Sequence, residues 1–98
     1  MNRIVNALRW LIPRLEEHAP QWQITGGFAA HLYGGRRAVN DIDVDVPRAA
    51  LERLLPHVRE FVVFGPARYR DSTWDLHVVT LDYEGQEIDI AAIESASR

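Results

Sequence analysis

Cysteine and lysine are both absent from this chain of 98 residues, and each absence removes a class of chemistry. Without cysteine there is no thiol nucleophile, no thiolate zinc site and no disulfide, so any metal must be held by oxygen or imidazole. Without lysine all eleven basic residues are arginine. A Walker-type phosphate loop and Schiff-base chemistry are therefore excluded, and phosphate contacts fall to arginine or backbone amides. No apolar run approaches the ~20 residues of a membrane span. The N-terminal stretch interrupts its apolar residues with Arg3, Asn6, Arg9 and Arg14, unlike the apolar centre of a secretory signal; a cytoplasmic location with no membrane association is expected. Excess positive charge is missing too. A formal charge of −3 gives no support to broad, nonspecific nucleic-acid binding, which leaves at most a local patch from Arg36, Arg37, Arg68 and Arg70.

What is present is a chain that is 47% hydrophobic, without low-complexity tracts or repeats, which reads as one globular domain over residues 1–98. Ile4, Val5, Leu8, Leu11, Ile12 and Leu15 recur at helical spacing, predicting an amphipathic helix from about Asn2 to His18 with a kink at Pro13. Trp22 to Thr25 reads as a short strand leading into Gly26-Gly27, and Phe28 to Tyr33 as a helix stopped by Gly34-Gly35. A strand over Asp41 to Val46 follows, then a helix with Pro47 in its first turn and a stripe of Leu51, Leu54 and Leu55 that Pro56 kinks or ends. Phe61 to Phe64 is a strand closed by Gly65-Pro66. Trp74, Leu76, Val78 and Thr80 alternate, turn at Glu84-Gly85, and give way to Ile88, Ile90 and Ala92, a β-hairpin pattern. Strands and helices mix without a regular βαβ period, so the fold class is α/β or α+β with a mixed sheet flanked by helices.

The densest chemistry lies between Gly26 and Val46. On a strand, Asp41 and Asp43 project from one face roughly 6.5 to 7 Å apart while Ile42 and Val44 enter the core. Two such carboxylates can share one hard cation or hold two. An Asp-x-Asp pair alone is also what an ordinary solvent-facing strand shows. Asp41, Asp43, Asp45 and Glu52 match positions one, three, five and twelve of a calcium loop, but that motif needs glycine at position six, where this chain has Val46 followed by Pro47. Histidines 18, 31, 57 and 77 fall on separate elements and form no ligand set. Trp10, Trp22 and Trp74 are core anchors.

The order of these features, a strand, Gly26-Gly27, a helix, Gly34, Arg37, then Asp41 and Asp43 on a strand, resembles the nucleotidyltransferase superfamily related to DNA polymerase β. Small bacterial members of that superfamily carry a Gly-Gly or Gly-Ser turn followed by G-x-x-R-x-T-x-D-x-D; Val39 stands here in place of the threonine. The resemblance covers about Trp22 to Ile93. It implies a nucleotidyltransferase-like fold and a third carboxylate from a neighbouring strand, for which Asp89 in EIDIAAI is the candidate and Glu87, on the same face by alternation, the weaker one. Asp41, Asp43 and Asp89 would then be both catalytic residues and ligands of Mg²⁺ or Mn²⁺, with Asp45 a strand-end charge. Gly26, Gly27, Arg37 and, less directly, Arg36 would bind the triphosphate, with backbone amides and a helix N-terminus favouring negative charge and arginine forks pairing phosphate oxygens. Arg68 and Arg70, on a loop-like segment before the hairpin, are weaker candidates for the same cleft. The implied reaction moves a nucleoside monophosphate from an NTP such as ATP to a hydroxyl on a small molecule, protein or RNA. The shortness of the chain beyond Asp89 motivates an alternative: a nucleotide-binding or interaction module, such as the nucleotidyltransferase-like member of a toxin and antitoxin pair, completed by a dimer mate or a helical partner protein.

Overall fold

A computed structural model describes residues 2–24 and 41–93. The predicted helix over Phe28 to Tyr33, together with Thr25, Gly26, Gly27, Arg36 and Arg37, lies outside the described residues.

Helix α1 spans Arg3–His18 and is capped by Asn2, whose side-chain oxygen accepts from the backbone amides of Ile4 and Val5. These are two of the donors that a helix N-terminus leaves without an internal partner. The helix runs through Pro13 without interruption. Ala7, Leu11 and Leu15, one turn apart, are its fully buried stripe. Trp10 is partly buried, stacked on Tyr83 with ring centroids 4.5 Å apart and meeting Phe61 edge-on at 5.0 Å.

Strand β1, Gln23–Ile24, leads the sheet, and β2 spans Ile42–Pro47. Pro47 both ends β2 and caps α2, Arg48–Leu54. Pro56 then falls in a 3-10 turn, Leu55–His57, so the α-helix stops just ahead of it. A second 3-10 turn, Arg59–Phe61, opens into β3, Val62–Arg70. Strands β4, Asp75–Tyr83, and β5, Gln86–Ile93, complete, among the described residues, a five-stranded sheet of order β1-β2-β5-β4-β3. The β4 to β5 turn is Glu84-Gly85, as predicted, and both residues have positive φ, 51° and 89°, the backbone that a tight two-residue hairpin requires.

Strand β3 differs from expectation. Gly65-Pro66 does not close it; the strand continues to Arg70 with two register irregularities, between Val62 and Phe64 and between Phe64 and Ala67. As the outer strand among the described residues it can carry a proline, because no further described strand needs that amide. Gly65 has φ +88°, and a Cβ there would run into the carbonyl of Val78.

The sheet has two unlike faces. Ile42, Val44, Val46, Ile88, Ile90, Ala92, Val79 and Leu81 form one, buried with α1 and α2 in the main core. By alternation Asp43, Asp45, Glu87, Asp89, Thr80 and Asp82 occupy the other. A smaller apolar cluster of Leu76 and Ala91, packed with Tyr69, Trp74 and Val78, shares that second face. Trp10 and Trp22 thus anchor the main core and Trp74 the smaller one.

Candidate functional site

The site is assembled by the junction of β2 and β5, which pair in parallel with Asp43 beside Asp89 and Ile42 beside Ile88. The flanking apolar residues explain why the acids stand where they do. Ile42, Val44, Ile88 and Ile90 are at most 5% exposed, so burial of these four fixes the register, and a slip of one residue would send the acids into the core. Asp41 immediately precedes β2, and the parallel pairing brings it alongside Glu87.

One carboxylate oxygen from each of Asp41, Glu87 and Asp89 lies within 4.8 Å of the other two. Glu87, the weaker candidate by sequence, therefore belongs to the cluster. Asp43 is buried, 8% exposed, directly across the strand junction from Asp89. Thr80, on β4, pairs directly with Asp89, and its hydroxyl donates to Asp89 Oδ1 at 2.8 Å. No sequence signal beyond alternation pointed to Thr80.

Electrostatics record the crowding. The Glu87 carboxyl is pushed up from 4.5 to about 7, first by its hydrogen bond with Asp89, then by burial and by the negative charges of Asp89, Asp41 and Asp43. Asp45 is raised from 3.8 to about 6, chiefly by burial and secondly by Asp43. It is not the strand-end charge that the sequence predicted, because β2 continues past it to Pro47 and pairs it with Ala91. Carboxylates held this close disfavour one another's ionisation, and a cation removes that penalty.

The donor set fits a hard divalent ion. It consists of carboxylate oxygen, the ligand type that Mg²⁺ and Mn²⁺ take. Ligand oxygens around one octahedral ion of this kind stand about 3 to 4 Å apart, against a spread of up to 4.8 Å for the three described oxygens.

Other candidates are placed elsewhere. Arg68 and Arg70 lie on β3, on the opposite face of the sheet from Asp89 by register. Arg68 makes two hydrogen bonds to Asp75, each 2.9 Å, and that guanidinium holds the Asp75 carboxyl below its usual range. The two arginines thus sit on a strand rather than a loop and do not face the carboxylates. His18 and His57 stack with ring centroids 3.7 Å apart and an interplanar angle of 8°. Their in-plane lone pairs therefore lie in nearly parallel planes. No described helix is long and apolar enough to cross a membrane.

No protein-family model matches the chain, and no curated protein sequence matches it. Among solved structures the chain is similar to a Thermotoga maritima protein provisionally assigned as a nucleotidyltransferase, with a TM-score of 0.70 and 24% sequence identity. The match covers 94% of this chain and 58% of the other, so this chain spans under two thirds of that protein's length. The mixed α+β architecture is a nucleotidyltransferase-like fold.

Proposed function

We propose that the chain is a metal-dependent nucleotidyltransferase that moves a nucleoside monophosphate from an NTP, with ATP the first candidate, to an acceptor hydroxyl. The observation that carries this reading is the convergence of Asp41 and Asp89, with Glu87, within 4.8 Å at the junction of β2 and β5, in a chain with a nucleotidyltransferase-like fold.

In this reading Asp41 and Asp89 would hold Mg²⁺ or Mn²⁺ together with Asp43, which pairs beside Asp89 but is not one of the three clustered acids. Bound divalent ions supply charge neutralisation for the triphosphate and acidify the acceptor hydroxyl. The acceptor oxygen forms a bond to the α-phosphorus, the bond from that phosphorus to the bridging oxygen breaks, and pyrophosphate leaves with the electron pair. Asp89, held by Thr80, is the carboxylate assigned to the acceptor side and to receiving the hydroxyl proton. Asp43, 8% exposed, is assigned as a ligand rather than as the base. Gly26, Gly27, Arg36 and Arg37 are assigned to the triphosphate by their place in the sequence pattern.

The test incubates the protein with labelled NTPs, Mg²⁺ or Mn²⁺ and candidate acceptors, alongside Asp41→Asn and Asp89→Asn. Transfer that is lost in both variants supports the assignment, whereas full activity in both overturns it. ATP binding without turnover on any acceptor favours the nucleotide-binding module over the enzyme.

A further inference from the structure

We infer that Thr80 is a positioning residue for the metal site, setting the orientation of Asp89 from the neighbouring strand; this rests on the metal-dependent reading above. An aspartate on a strand has a broad χ2 preference, and Asp89 stands among acids, with Asp43 directly beside it, Asp41 within 4.8 Å and Glu87 hydrogen-bonded to it. Thr80 adds a neutral donor from the neighbouring strand that fixes this torsion. Its hydroxyl donates to Asp89 Oδ1 at 2.8 Å, between residues that face each other across β4 and β5.

The donor is itself held in place. Threonine is β-branched and stiff at χ1, and its chain neighbours Val79 and Leu81 are fully buried on the opposite face of the sheet, so Thr80 has little freedom to follow a wandering carboxylate. A carboxylate has about four lone-pair sites; accepting from Thr80 leaves capacity for a metal ion. Outer hydrogen bonds of this kind orient metal ligands, and their loss costs roughly 10- to 100-fold in metal affinity.

The experiment measures Mn²⁺ binding by electron paramagnetic resonance in the nucleotide-free protein, comparing the unaltered chain with Thr80→Val and Thr80→Ser. Valine keeps the shape and strand preference but has no donor, whereas serine keeps the donor. The expected result is a Mn²⁺ dissociation constant raised about tenfold in Thr80→Val and close to the unaltered value in Thr80→Ser, with both variants unfolding cooperatively in EDTA. Equal affinity in the unaltered protein and Thr80→Val overturns the positioning role while leaving the metal site intact. Weakening in Thr80→Ser as large as in Thr80→Val also overturns it, since the hydroxyl would then not be the cause. An unaltered protein that binds no Mn²⁺ overturns the metal-dependent reading itself.

Discussion

Replacing Asp45 with asparagine is expected to stabilise the metal-free protein at neutral pH and to do nothing in acid. Asp45 is raised from 3.8 to about 6 by burial, with Asp43 adding to it. The folded chain therefore holds this proton more tightly than the unfolded chain does. The sign follows: no penalty exists below about 3.8, the penalty grows as pH rises, and it is complete above about 6. At ~1.4 kcal/mol per pKa unit the ceiling is about 3 kcal/mol. Asp45 is only half-buried, so solvent screening reduces this to about 1 kcal/mol, or about 4 to 8 °C in Tm for a chain of this size. The assay is urea or thermal unfolding in EDTA at pH 7.5 and pH 4. Asp45→Asn should gain about 1 kcal/mol at pH 7.5, and the gain should vanish at pH 4. An equal gain at both pH values, or a loss at pH 7.5, would refute the electrostatic account.

Glu87→Gln should likewise stabilise the metal-free protein at pH 8 and not at pH 4, because the Glu87 carboxyl is raised from 4.5 to about 7 and glutamine keeps a donor toward Asp89; parallel unfolding curves at the two pH values check this. Gly65→Ala should cost at least about 2 kcal/mol in urea unfolding, since the positive φ disfavours any side chain and the new Cβ would meet the Val78 carbonyl.

The parts legible in the sequence are those in which one residue type has one structural use. The β4 to β5 hairpin is readable because Glu84-Gly85 interrupts a clean alternation, and its two positive φ angles are what such a turn needs. The carboxylate face of β2 follows from Ile42 and Val44 alternating with Asp43 and Asp45. Strand β3 was cut short because Gly65-Pro66 reads as punctuation, and the exemption that an outer strand enjoys is a property of the sheet, not of the local sequence. Thr80 was invisible for the same reason: its importance comes from pairing with Asp89, which no local pattern encodes. The half-burial of Asp45 is not legible locally because it comes from pairing with Gln23 on one side and Ala91 on the other.

Strands β3, β4 and β5 are neighbours both in sequence and in the sheet, so their antiparallel pairing closes only short loops. The parallel seam between β2 and β5 is different. It joins distant parts of the chain, and pairings of that kind are paid for in loop entropy before they return any contact energy. Asp89 and Thr80 can therefore meet in a partly folded meander, but Asp41 and Asp43 arrive only when the seam closes. On the proposed metal-dependent reading, affinity for the ion would report closure of this parallel seam, and the ion would favour the chain with the seam formed.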